Sequence, residues 1–157
     1  MNARFIDEDL SVEHPQHGRI HVHNTRPRDI DEFAPERIVI MQHGATYGSL
    51  GFELRFAGLS WMDHLADAGF DVYCLDLPGY GQSERPGQMD EPPENNAPFM
   101  RTPDAADSLG AVVDFVCERR NVGRLNLVGW SWGTAITSFY TANQPERVER
   151  LVLNAPI

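Results

Sequence analysis

The chain has 157 residues, 41% of them hydrophobic and 23% charged, a balance that supports one folded core over residues 1–157 and excludes a disordered chain. Its 23 acidic residues outweigh 13 basic ones for a net charge of −10, which repels a phosphate backbone and argues against nucleic acid as a partner. Every basic residue is an arginine, so no lysine is present to serve a Walker-type phosphate loop or a Schiff base.

The opening MNARFIDEDL lacks the apolar core of a signal peptide, and no run reaches the ~18 apolar residues of a membrane span. A cytoplasmic protein is expected, with Cys74 and Cys117 as buried, reduced thiols in apolar runs. Ile6 to His14 and Arg19 to His23 read as strands of a solvated hairpin around Pro15-Gln16-His17-Gly18. Pro27 stops the second strand and begins a linker that Pro35 closes. The run Ile38-Val39-Ile40-Met41 predicts a strand covered on both faces. Leu59, Met62, Leu65 and Ala66 recur at helical spacing before Gly69, and a second buried strand follows at Phe70 to Leu75.

From Asp76 to Arg101, prolines at 78, 86, 92, 93 and 98 forbid regular structure, and a loop this long points to function. Thr102-Pro103-Asp104 predicts a helix capped by Thr102, with Leu109, Val112, Val113, Val116 and Cys117 as its apolar stripe. Leu125, Leu127 and Val128 form a third buried strand, a helix starts near Ser131, and Leu151 to Leu153 form a fourth. Strands alternating with helices imply an α/β fold with a mainly parallel, twisted sheet, helices on both faces and an opening antiparallel hairpin.

Gly129-Trp130-Ser131-Trp132-Gly133 joins a buried strand to a helix, the setting in which a Gly-x-Ser-x-Gly turn presents a nucleophile. The glycines let strand and helix approach, and the strained turn lifts the Ser131 hydroxyl above the strand ends. At the end of the first buried strand, Gly44 lets the backbone turn and exposes the Ala45 amide. Acyl transfer needs two donors aimed at an oxyanion, and the Ala45 and Trp132 amides are the candidates. Trp130 and Thr46 are candidate substrate-binding residues. His43 precedes the turn and is expected to order this loop rather than act as a base.

His43-Gly44, the segment Asp76-Leu77-Pro78-Gly79-Tyr80-Gly81-Gln82-Ser83, the Ser131 pentapeptide and Pro145-Glu146-Arg147-Val148 occur in an order that resembles the α/β-hydrolase superfamily. The resemblance implies Ser131 as nucleophile, Ala45 and Trp132 as the oxyanion hole, and Asp76 as a structural rather than catalytic carboxylate. Epoxide hydrolases and haloalkane dehalogenases of that superfamily carry an aspartate at the elbow. A serine there implies acyl chemistry on a small-molecule substrate, carboxylic esters first, without a cofactor.

All six histidines, 14, 17, 21, 23, 43 and 64, precede Ser131, whereas the superfamily places its catalytic acid and histidine after the sixth strand. The chain is therefore expected to be the N-terminal portion of a longer hydrolase, truncated after the sixth strand and lacking the lid. His14, His17, His21 and His23 have no cysteine beside them and lie on a hairpin expected to be solvated, so no metal is expected there. The alternative reading is a non-catalytic ligand- or partner-binding protein on the same scaffold. An acid and then a histidine downstream favour the enzyme, and a natural stop after Ile157 favours the binder. The sequence sets no oligomeric state.

Overall fold

Residues 5–27 look polar, yet their polar side chains are largely paired with one another. The computed structural model describes residues 4–157; Met1–Ala3, which begin the segment read for a signal sequence, lie outside the described residues. β1 (Phe5–His14) and β2 (Gly18–Pro27) pair antiparallel along their whole length. β2 thus continues beyond His23, where a strand end was expected, because its far half is bonded on both sides. Thr25 Oγ1 donates to Asp7 (2.8 Å), Arg26 grips Glu8 with two nitrogens (2.7 and 2.9 Å), and Asn24 Nδ2 donates to Asp71 (2.8 Å). The hairpin is also not uniformly solvated: His14 and His21 are buried, each against carboxylates from other elements.

β3 (Ile38–Gln42) shows how a continuous apolar run serves two cores. Ile38 and Ile40 enter one, while Val39 and Met41 enter the other, as the twofold alternation of a strand requires. Two short helices follow, α1 (Leu50–Glu53), which was not expected, and α2 (Trp61–Asp67). α2 begins at Trp61 because Ser60 caps it: Ser60 Oγ accepts from the Asp63 amide (3.0 Å) and Asp63 accepts from the Ser60 amide (2.8 Å). β4 (Asp71–Leu75) is buried throughout, with Tyr73 and Leu75 on one face and Val72 and Cys74 on the other.

The prolines keep residues 76–101 out of regular structure apart from short 3₁₀ turns. α3 (Thr102–Arg120) then begins one residue earlier than expected. Thr102 is its first residue and not its cap; the Asp104 carboxylate instead accepts from the Arg101 amide (3.0 Å). The Thr102 hydroxyl is engaged elsewhere, accepting from Trp132 Nε1 (3.0 Å). β5 (Leu125–Trp130), α4 (Trp132–Asn143) and β6 (Val148–Asn154) complete the described chain. Both cysteines are free and buried.

The sheet order is β1-β2-β4-β3-β5-β6, antiparallel across the first three strands and parallel from β4 to β6. α3 and α4 cover one face, through Leu109, Val112, Val113 and Ile136, and α1 and α2 cover the other, through Phe52, Met62 and Ala66. The chain lays β4 on one side of β3 and β5 on the other. The strand order therefore reverses at β3, and in α/β sheets ligands bind at the carboxyl ends of strands flanking such a point. β6 pairs only with β5 among the described strands, and Val152 and Leu153 are exposed on it. No described helix is long and apolar enough to cross a membrane.

Candidate active site

Ser131 sits between β5 and α4 with φ 54° and ψ −123°, a backbone conformation that costs a non-glycine residue roughly 1–3 kcal/mol. Its surroundings hold it there. The Ser131 amide donates to the Asn154 carbonyl at the end of β6 (3.0 Å), and the Ser131 carbonyl accepts from the Thr134 amide (2.8 Å) and hydroxyl (2.6 Å). The flanking glycines are required by contact: a Cβ on Gly133 would lie 2.3 Å from the Gln42 carbonyl oxygen, and one on Gly129 2.5 Å from that of Gly133. β3, β5 and the start of α4 thereby converge below Ser131.

Gly44 brings the neighbouring loop against it, since a Cβ there would meet the Ser131 Cβ at 2.9 Å. Among the described residues, the Ala45 and Trp132 amides donate to no backbone carbonyl or side chain. The Trp132 amide also opens α4, so the partial positive charge of a helix N-terminus adds to its effect on an anion. The Trp132 ring is held by its Nε1–H bond to the Thr102 hydroxyl (3.0 Å).

His43 lies behind this loop, fully buried. Its Nε2 accepts from the Leu77 amide (3.0 Å), which leaves the proton on Nδ1, donated to the Gly44 carbonyl (2.6 Å). Burial pushes the imidazole below its ordinary pKa of 6.5, and with both nitrogens engaged it has no proton-accepting role at Ser131. Asp76 is buried and likewise spent on backbone. Its two oxygens accept from the Ser49 (2.7 Å) and Gln82 (2.9 Å) amides, and His21 Nδ1 lies 3.3 Å away. The arrangement matches the expected structural role of both residues.

Of the expected substrate contacts, Thr46 lines a cavity of about 590 Å³ with Tyr80, Met89, Phe99 and Met100. Trp130 is half-buried in an aromatic group, its ring centroid 6.0 Å from Phe52, which in turn lies 5.6 Å from Trp61. One further contact at the site escaped the sequence reading: Tyr80 donates its hydroxyl to the Ala45 carbonyl (2.5 Å).

His14, His17 and Asp107 present one candidate metal-ligand atom each within 4.8 Å of one another. Tautomer chemistry argues against coordination. The Gln16 and His17 amides both donate to His14 Nδ1 (3.2 and 3.1 Å), which places the ring proton on Nε2, where it meets Asp107 (3.2 Å) instead of leaving a lone pair for a cation.

Residues 37–157 match the α/β-hydrolase fold family. The chain is 29% identical over 145 residues to Lipase member N of Homo sapiens, covering 92% of this chain and 34% of that protein. It is also 29% identical over 119 residues to the 2-hydroxy-6-oxononadienedioate/2-hydroxy-6-oxononatrienedioate hydrolase of Escherichia coli O139:H28, covering 75% of this chain and 35% of the relative. The chain thus spans about a third of the length of these curated relatives. Among solved structures, the epoxide hydrolase VrEH1 of Vigna radiata superposes with a TM-score of 0.68 at 20% identity, covering 94% of this chain and 39% of that one. With its sheet order, its strained Ser131 turn and this family match, the chain belongs to the α/β-hydrolase fold family, and its relatives are hydrolases.

Proposed function

We propose that this chain supplies the nucleophile and oxyanion hole of a serine hydrolase that works through an acyl-enzyme, on a carboxylic ester or a related small acyl substrate. The observation that carries the reading is the strained Ser131 turn beside the acceptor-free Ala45 and Trp132 amides. Ser131 Oγ attacks the substrate carbonyl as a base removes its proton, and the two amides bind the oxygen that becomes negative. Collapse of this adduct expels the alcohol, which takes up the proton, and leaves an ester on Ser131 that water then hydrolyses. Thr46 and Trp130 border the substrate. A relative named as a lipase favours ester chemistry, and a serine at the elbow suits an acyl-enzyme rather than an alkyl ester.

No described histidine is placed to act as that base. His43 is fully engaged, and none of the other five histidines makes a hydrogen bond to Ser131 among the described residues. A cytoplasmic setting accords with the free, buried thiols of Cys74 and Cys117.

The test is labelling of the intact protein by a fluorophosphonate probe, with and without Ser131→Ala. Labelling that disappears in the alanine variant is expected. Undiminished labelling of that variant would remove Ser131 from the mechanism, and no labelling of either protein would favour the non-catalytic binder.

A further inference from the structure

We infer that Tyr80 is a positioning residue for the oxyanion hole, its hydroxyl clamping the Ala45 carbonyl so that the Ala45 amide stays aimed at the reacting oxygen. The inference rests on the reading of Ser131 as an acyl-transfer nucleophile. Its basis is a pair of bonds to consecutive carbonyls. His43 Nδ1 donates to the Gly44 carbonyl (2.6 Å) and Tyr80 Oη to the Ala45 carbonyl (2.5 Å). The first carbonyl shares a peptide plane with the Ala45 amide, and in a trans peptide the two point in opposite directions, so fixing the one aims the other. The second belongs to the following peptide. With both planes held, rotation on either side of the Ala45 Cα is blocked, and the amide cannot swing away while its carbonyls stay bonded.

Tyr80 is itself firmly set. It lies between Gly79 (φ 86°) and Gly81 (φ 48°), its amide donates to the Leu77 carbonyl (2.8 Å), and its carbonyl accepts from the Ser83 amide (3.0 Å). A Cβ on Gly81 would fall within 2.4 Å of the Asp76 carboxylate, which holds the other side of the turn through the Gln82 amide. The same carboxylate binds the Ser49 amide, so the oxyanion loop is anchored at both ends to one turn. The Tyr80 ring packs at 4.8 Å from the His43 ring, which makes the two clamps a unit. Burial raises the pKa of the phenol, which keeps it a donor across the physiological range.

A clamp of this kind acts on the transition state, where charge sits on the oxyanion, and leaves ground-state binding alone. Tyr80→Phe in the intact protein keeps the ring on His43 and deletes only the donor. On a p-nitrophenyl ester, kcat is expected to fall roughly 10- to 100-fold with KM within about twofold of wild type. Affinity for a boronic acid, which forms a tetrahedral adduct on the serine, falls by a similar factor. Installing 4-aminophenylalanine at position 80 restores an N–H donor and most of the kcat, whereas 4-methylphenylalanine, of the same size and without a donor, does not. This isosteric pair carries the comparison if Tyr80→Phe fails to fold. Equal kcat for the amino and methyl variants, with Ser131→Ala inactive, overturns the role of Tyr80 alone. Turnover that survives Ser131→Ala overturns the acyl-enzyme reading and the clamp together.

Discussion

His43 is a titratable group placed where a second proton would be harmful. Protonation of Nε2 would set an N–H against the Leu77 amide that now donates to it, break the contact, and loosen the loop that carries Ala45. Burial disfavours that charge, so the folded-state pKa lies below the ordinary 6.5. The sign follows. Well above pH 6.5 the ring is neutral in both states and adds no pH dependence. As pH falls below that value the unfolded chain takes up a proton that the folded chain refuses, so stability declines until the folded pKa is passed and then levels. In an NMR titration of the intact protein, the His43 Cε1 proton is expected to titrate with its midpoint below 6.5. A midpoint at or above that value refutes the assignment. Ala45 makes the complementary case, because its amide and not its methyl group is proposed to act. Ala45→Gly should keep most of the activity, whereas Ala45→Pro, which has no N–H, should lose on the order of 10²–10³ in kcat. Equal kcat values for the two variants would exclude the Ala45 amide as a donor.

Elements differ in legibility according to where their bonding partners lie. β3, β4 and β5 were readable because a strand buried on both faces must be apolar along its length, and Ile38 to Met41 states this in four successive residues. The far half of β2 was not, because Asn24, Thr25 and Arg26 look solvated until Asp71, Asp7 and Glu8 are brought beside them. The start of α2 was written locally in Ser60 and Asp63, a capping pair that spacing of apolar residues alone overlooks. Thr102 has the chemistry of a cap but is claimed by Trp132 from another helix, a competition no local pattern records. The candidate site divides in the same way. Ser131 and its glycines lie within five residues and carry their proposed role in their spacing, whereas Tyr80 reaches Ala45 across 35 positions with no periodicity to announce it.

The molecule as a whole places its proposed chemistry at one end of the sheet and, among the described strands, an edge strand paired only with β5 at one side. Val152 and Leu153 are exposed on β6, and Phe139 is exposed on neighbouring α4. Such an edge recruits another strand in solution. Residues 1–157 expressed alone are expected to elute from size-exclusion chromatography as associated species and to hydrolyse p-nitrophenyl acetate no faster than the Ser131→Ala form. A clean monomer with Ser131-dependent multiple turnover would place a base within these residues and contradict the reading. One bond gives this sheet a further use. The Ser131 amide is stapled to the Asn154 carbonyl, so the strained turn and the strand that holds it lie on the same side of any cut made after Asn154. A hydrolase divided there would keep its nucleophile cocked in one piece and wait for the other to bring the base. Fused to two proteins whose meeting is to be detected, such halves would form a complementation reporter, silent apart and read out by a serine-directed dye on contact.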